Sequence, residues 1–444
     1  MKKPVYLIHR LRFGLPVVLA SLFVLSCAQD PIFHYISLQD RPLEYIIPGS
    51  AGRMVVTDDR IYAWTRGGRS VWFFDADGNW HQHSALDHHI WGLAAVGNDL
   101  FAAVHIPDDR RGEPPSSRIM RFTAGSWVQV PDAPDAPDMV ITNLFSAGGA
   151  LFAGAQHRRN LNQYDILAFT LSEDPSVTDF LTRHSLAAAS PLIGQNSNFA
   201  LSDVITRNNS VYLATSRGGI FYITVANLAV GDFAGIQDFI PATGLTTITG
   251  MIETGGDIVV VGNTERAGEI RVLRGSTPSW IAPLAIPGRF FNGGMGVWRQ
   301  FDGSEWQPRL LLVGTRTNTG RNNGYMEIHL LHDGRVGFVN PEAEDGVSLV
   351  ISHQTPGFAG ARPEGGVSSV EVRGRYTASI GTRSVRHILQ APPEMLHPGG
   401  SHPPGWQPPI FASTSIDGLW VYNPRPWEDQ WNAEEGRTNW RYWY

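Results

Sequence analysis

The sequence predicts an all-β protein in which small antiparallel sheets repeat and close around a common axis, and three observations predict it. Glycine (47), proline (30) and tryptophan (14) are abundant among 444 residues while only 17 % are charged, a balance that favours short strands joined by turns over long helices. One local phrase recurs along the chain: an apolar strand, a polar turn, then a second alternating strand. An apolar segment precedes most of these hairpins and a Trp follows several, at offsets that agree with three or four strands per unit. The composition excludes a disordered acidic chain, a collagen-like chain, a disulfide scaffold (there is one Cys) and a coiled coil.

The first segment reads as an export signal. Lys2, Lys3, Arg10 and Arg12 form a basic stretch without acids, and the apolar run Gly14–Leu25 is shorter than the roughly 20 residues a bilayer crossing needs. The run ends in Val24-Leu25-Ser26-Cys27, with the single cysteine of the chain at its close. This resembles the lipobox of bacterial lipoproteins, and the resemblance implies cleavage after Ser26, lipidation of Cys27 and attachment to a membrane through acyl chains alone, at about 0.8 kcal/mol per buried methylene. Ser26 fits the small residue required before the cleavage point, whereas Leu25 stands where a small residue is more usual. Ala28 after the cysteine resembles the signal for onward export to the outer membrane. The expected organisation is a signal peptide over 1–26, a lipidated N-terminus and tether over 27–50, the repeat domain over 51–434 and an aromatic tail over 435–444.

Loss of the signal removes both lysines of the chain and takes the formal net charge from −6 to −10. An acidic mature chain without a basic helix argues against nucleic acid as a partner.

The hairpins follow in order. Arg60–Thr65 leads to Ser70–Phe74, Asp99–Val104 to Arg118–Phe122, Ala150–Ala155 to Asp165–Phe169, Ser210–Thr215 to Ile220–Val225, Asp257–Val261 to Glu269–Leu273, Arg309–Val313 to Tyr325–Leu330, and Ile410–Thr414 to Leu419–Tyr422. Trp91–Val96, Val140–Phe145 and Thr247–Ile252 are apolar strands ahead of their hairpins; Trp80, Trp127, Trp280 and Trp431 follow. A lone sheet of this kind leaves an apolar face wet, and radial stacking buries both faces and protects the edges. The pattern resembles bacterial β-propellers, nearest to two-component-regulator and WD40-like blades, and the turn Ser415–Tyr422 matches that style best. An aromatic or aliphatic marker at Tyr62, Phe101, Phe152, Tyr212, Val259, Leu311 and Phe411 sets seven blades. A further hairpin, Arg375–Gly381 with Val385–Leu389, fills the long gap before Phe411 and leaves eight as the alternative. Asp30–Ile47 is expected to return and complete the last blade.

Four histidines, His81, His83, His88 and His89, crowd one segment, and His-x-His on a strand places two imidazoles on one face. With no accompanying carboxylate signature they read as solvated loop residues, and no metal or cofactor is expected. Asp75–Asn79 lacks the Gly and Glu of a calcium loop and reads as a hairpin turn, like Asp302-Gly303 and Asp333-Gly334. No nucleophile elbow, phosphate loop, dinucleotide fingerprint or zinc-protease motif is present, so no catalytic residue is assigned.

The charge pattern carries the functional expectation. In a propeller the loops between second and third strands share one face. The candidates, 65–70, 105–118, 156–163, 216–219, 264–268, 314–323 and 382–384, hold 12 of the 31 Arg of the mature chain in 50 of its 418 residues, against about four by chance. They also hold four acids, Asp108, Asp109, Glu113 and Glu265. Arg66, Arg158, Arg159, Arg217, Arg266, Arg316 and Arg321 are therefore the candidate anion- or partner-binding residues, since guanidinium groups grip carboxylate, sulfate or phosphate through forked hydrogen bonds. The expected function is a lipid-anchored, extracytoplasmic platform in the bacterial envelope binding an acidic protein or an anionic glycan. The alternatives are a glycan-active hydrolase or lyase on the same ring, and a factor in outer-membrane protein assembly.

Overall fold

In the computed structural model, the strands of the repeat gather into seven separate sheets among the described residues, each a meander of sequence neighbours. The structure describes most of residues 47–442, apart from the segments 108–115, 131–138, 172–180, 194–199, 241–244, 275–278, 318–321, 331–334, 336–350, 353–371, 374–383, 398–405 and 423–439 and a few single positions. These residues belong to the unit Ile46–Trp443.

Sheet 1 comprises Val55–Val56, Ile61–Trp64, Val71–Phe74 and Trp80–Gln82; sheet 2 comprises His89–Val96, Asp99–Ile106, Ser116–Thr123 and Ser126–Gln129. Sheet 3 is Met139–Ala147, Ala150–His157, Tyr164–Leu171 and Leu181–Ser185, and sheet 4 is Leu201–Arg207, Ser210–Thr215, Ile220–Thr224 and Gln237–Ile240. Sheet 5 holds Thr247–Thr254, Asp257–Asn263, Ala267–Arg274 and Ser279–Pro287. In sheet 6, Arg289–Phe301, Trp306–Thr317 and Asn322–His329 are followed by two short strands, Ile351–Ser352 and Val372–Arg373, that both pair with the third. Sheet 7 is Val385–Gln390, Ile410–Thr414, Leu419–Tyr422 and Trp440–Tyr442.

The middle of each second strand is apolar, and its alternate residues serve different neighbours. In sheet 2, Leu100, Ala102 and Val104 join a cluster with Tyr62, Trp64 and Val71 of sheet 1, whereas Phe101 and Ala103 join Leu151, Ala153 and Phe169 of sheet 3. Phe152 then packs with Val211, Leu213 and Phe221 of sheet 4, and Tyr212 and Ala214 with Ile258 and Val260 of sheet 5. Leu312 and Tyr325 of sheet 6 meet Val385, Ala412 and Trp420 of sheet 7. The period of two in a strand makes this sharing possible, because successive side chains point to opposite sides.

Sheet 7 packs in turn on sheet 1. Phe411 lies edge-on to Phe74 at 4.9 Å and to Trp80 at 5.2 Å between ring centroids, in a cluster with Ile61, Trp72 and Leu419. The Ala51 amide donates to the Thr414 carbonyl (2.9 Å), and the Gly418 amide donates to Gly49. The first sheet therefore follows the last, and the protein is a β-propeller.

All seven markers fall on second strands and are buried. Two-residue turns join several inner strands to second strands: Gly148-Gly149, Asn208-Asn209 and Gly255-Gly256 have positive φ at both positions, the conformation that matches the twist of a tight hairpin. Asp75–Asn79 is a turn, closed by the Gly78 amide on the Asp75 carbonyl and the Asn79 amide on the Asp75 carboxylate.

Sheet 7 adds two pairings to the expected pattern. Val385–Gln390 pairs with Ile410–Thr414 as the inner strand, and 375–381, expected to form a hairpin with it, lies outside the described residues. Outermost, Trp440–Tyr442 pairs with Leu419–Tyr422, so this part of the aromatic C-terminus is a strand of the sheet. Residues 30–46, Cys27 and Trp431 lie outside the described residues.

Candidate functional site

The first strands of the sheets surround the axis, and six of them share one irregularity. The pairing of inner with second strand slips at Trp91 in sheet 2, Thr142 in sheet 3, Ser202 in sheet 4, Thr249 in sheet 5, Asn292–Gly294 in sheet 6 and Arg386 in sheet 7. A β-bulge re-aims the side chain of the unpaired residue. Here Trp91, Thr142, Ser202, Thr249, Asn292 and Arg386 all line one cavity of about 160 Å³ at the end where the inner strands begin. Gly52 and Arg53 complete it from sheet 1.

Four of the bulge residues do the same structural work. Hydroxyls of Thr142, Ser202 and Thr249 donate to the second-strand carbonyls of Gly154 (3.1 Å), Ala214 (3.0 Å) and Val261 (3.2 Å), and the Asn292 amide donates to Thr315 (3.0 Å). Each ties the bulge to a carbonyl of the facing strand through its side chain. The residue after the bulge ties one inner strand to the next. Asn143 donates to the Leu201 carbonyl of sheet 4, Asp203 accepts from the Met251 amide of sheet 5, and His387 Nδ1 accepts from the Met54 amide of sheet 1.

On sheets 7, 1 and 2 this pattern gives way to large cationic and aromatic side chains: Arg386, Arg53, Arg66 and Trp91. The Arg66 guanidinium comes from the loop between second and third strands of sheet 1, lies 5.2 Å from the Trp91 ring centroid and donates to the Thr142 carbonyl (3.3 Å). On its far side the Trp91 indole stacks on His105, 4.5 Å away and 14° from parallel. His105 is buried and donates Nε2–H to the Ile141 carbonyl (2.7 Å); burial, opposed only partly by that bond, pushes its pKa down to about 4. Partial desolvation holds the half-buried Arg66 guanidinium below its ordinary value, and partial desolvation together with the Arg66 charge does the same to Arg386, whose residue is otherwise exposed at the lumen mouth.

Arg53 forms an ion pair with Asp203. Asp203 Oδ1 also accepts from the Val204 amide (2.9 Å) and Oδ2 from the Met251 amide (2.8 Å), so both carboxylate oxygens are committed. Below this pair the lumen continues into chambers of about 250 Å³ and 340 Å³; Arg53 borders both of them and Asp203 the larger. Burial and the Arg53 charge hold His387 neutral, its pKa well below the ordinary histidine value.

The expected site residues distribute unevenly around this geometry. Arg66 reaches the lumen; Arg217 and Arg266 are exposed in turns outside it, and Arg316 is exposed with its guanidinium 5.7 Å from the Phe290 ring centroid. Arg158 is half-buried beside the second strand of sheet 3, while Arg159 and Arg321 lie outside the described residues. The histidine cluster is not a set of solvated loop residues. His81 is on the outer strand of sheet 1 with its ring 2.6 Å from the Asp75 carboxylate, and His83 is buried against Phe122, at 4.1 Å, with Tyr62, Phe73 and Trp127 around it. Burial accordingly lowers the His83 pKa. No group of three or more His, Cys, Asp or Glu comes together among the described residues, and no described helix is long and apolar enough to cross a membrane.

Sequence reasoning passed over Arg53, Trp91, Asp203 and Arg386. A signal for Trp91, Asp203 and Arg386 is present: an apolar residue, the bulge, then a small or polar residue recur as Ile90-Trp91-Gly92, Ile141-Thr142-Asn143, Leu201-Ser202-Asp203, Ile248-Thr249-Gly250, Phe291-Asn292-Gly293 and Val385-Arg386-His387.

No family model matches the sequence, and no curated protein matches it. Among solved structures the fold is similar to YCF48 bound to D1 peptide, with a TM-score of 0.46 at 11 % identity over 85 % of this chain and 94 % of that one. Virginiamycin B lyase from Staphylococcus aureus is similar at TM-score 0.45 and 11 % identity, over 83 % and 93 % of the two chains. The Dos1 propeller is similar at TM-score 0.44 and 12 % identity, over 86 % and 82 %.

Proposed function

We propose that the protein is a lipid-anchored, extracytoplasmic propeller of seven blades that acts as a binding platform, holding an acidic protein or an anionic glycan against an arginine-bearing face. The membrane attachment rests on the lipobox at Cys27. The observation that carries the binding reading is the placement of the arginines. Arg66, Arg69, Arg158, Arg217 and Arg266 lie between second and third strands, Arg316 is near the end of a second strand, and Glu265 is the one acid among the described residues of those connections. Antiparallel pairing brings all of these connections to the end of the sheets where the inner strands begin. A positive face on an acidic molecule attracts polyanions at long range and grips them at close range through forked hydrogen bonds.

Charge reversal tests this directly. The triple variant R217E/R266E/R316E is expected to elute from a heparin column at clearly lower salt than the unaltered protein, with its melting temperature preserved. Elution at the same salt as the unaltered protein overturns the reading.

A further inference from the structure

We propose that the lumen mouth is a separate binding site for a small, doubly charged oxyanion, clamped between the Arg66 and Arg386 guanidinium groups beside the Trp91 indole. Three observations on the ring lead there. Arg386 occupies a bulge position that a short hydroxyl or amide fills in sheets 3 to 6, where that side chain bonds to a carbonyl of the facing strand. The backbone geometry therefore needs only a Thr, Ser or Asn at the bulge, and an arginine placed there is surplus to the fold.

The second observation is charge, which the hydroxyl and amide bulges of sheets 3 to 6 do not carry. Arg66 and Arg386 line the same cavity, the Arg66 charge disfavours the charged form of Arg386, and Asp203, the one acid lining it among the described residues, is engaged by Arg53. Among the described residues Arg386 has neither a hydrogen bond nor a carboxylate partner. Two like charges facing one small space raise the free energy of the unliganded protein, and an anion between them removes that repulsion while making charge-assisted hydrogen bonds to both.

Size and surroundings narrow the ligand. A cavity of about 160 Å³ holds a group the size of phosphate or a short dicarboxylate within reach of both arginines. Arg66 is already oriented by the Trp91 ring and the Thr142 carbonyl, which lowers the entropy lost on binding. The site does not rest on the platform reading: its arginines are absent from the triple variant used to test the outer face, so either proposal can fail alone.

The test is isothermal titration of the full chain in detergent with inorganic phosphate and, separately, succinate, at ionic strength fixed with sodium chloride. One saturable site per chain is expected for at least one probe. R386Q and R66Q are each expected to weaken it about tenfold or more, with R386K retaining part of the affinity and all variants keeping their melting temperature. Tighter phosphate binding assigns a phosphoryl or sulfuryl group; tighter succinate binding assigns a dicarboxylate. Absence of saturable heat for both probes through the millimolar range, or equal affinity in R386Q, overturns the proposal.

Discussion

Arg53 and Asp203, separated by 150 positions in sequence, meet as an ion pair that joins sheet 1 to sheet 4 within the lumen. Asp203 sits immediately after the bulge of its inner strand, and Arg53 lies two residues before Val55–Val56, the first strand of sheet 1. Asp203 is the more deeply placed of the two, with side-chain exposure of 6 % against 40 % for Arg53.

That asymmetry predicts unequal costs for removing the partners. D203A withdraws the acceptor for Arg53 and for the Val204 and Met251 amides together, so a loss of about 2–4 kcal/mol is expected in urea denaturation. R53A leaves both amides satisfied and is expected to cost about 1–2 kcal/mol, because Arg53 is partly solvated. Equal losses in the two variants would contradict the assignment of the amide bonds to Asp203.

Stability is expected to fall on acidification through the histidine range. His105 has a folded pKa of about 4 against about 6.5 unfolded, so the unfolded chain binds the proton first. Its contribution is complete above about pH 6.5 and is lost as pH falls toward 4, to a limit of about 3 kcal/mol. His387 acts in the same direction. Denaturation measured between pH 4 and 7 checks this, and H105Q is expected to flatten the curve.

Phe101 is fully buried in the cluster shared by sheets 2 and 3. F101A is expected to cost about 3–5 kcal/mol, the transfer free energy of the ring plus the cavity left behind. A loss below 1 kcal/mol would mean that the two sheets do not pack there.

Asn263 tests the ties between neighbouring sheets. Its side chain accepts from the Phe291 amide (2.7 Å) and donates to the Phe291 carbonyl (3.1 Å), linking sheet 5 to sheet 6. N263A is expected to cost about 2–3 kcal/mol by stranding two buried backbone groups, and N263D to lose the donor while keeping the acceptor. Amide exchange at Phe291 is expected to accelerate in N263A and to stay slower in N263D.

The sheets were legible from sequence because a strand buried on both faces must be apolar along its length, and Phe101, Phe152 and Phe411 mark that requirement openly. The last sheet was harder. Val385–Gln390 and Ile410–Thr414 pair across a long interruption, and nothing local in Val385–Leu389 distinguishes an inner strand from half of a hairpin. The lumen was harder still. Whether Trp91 or Arg386 enters it depends on a register slip set by packing around the ring, so one residue looks like core and the other like surface. Arg66 was found for its charge, as part of an outer face, and its contact with Trp91 required the loop to fold inward. His83 was misread because its burial comes from Phe122 and Trp127 of the next sheet, which a segment-by-segment reading does not bring to it.

Every apolar cluster described is shared by adjoining sheets only, so cohesion here is a nearest-neighbour property, like that of staves in a cask. Sheet 7 meets sheet 1 through the same kind of contact, centred on Phe411 and Phe74, as the other clustered pairs. Each seam described by such a cluster is thus a comparable place for the circle to part, and cutting the chain between two staves leaves the clusters intact. Circular permutants opened at different seams will therefore differ in how fast they assemble far more than in how firmly they hold.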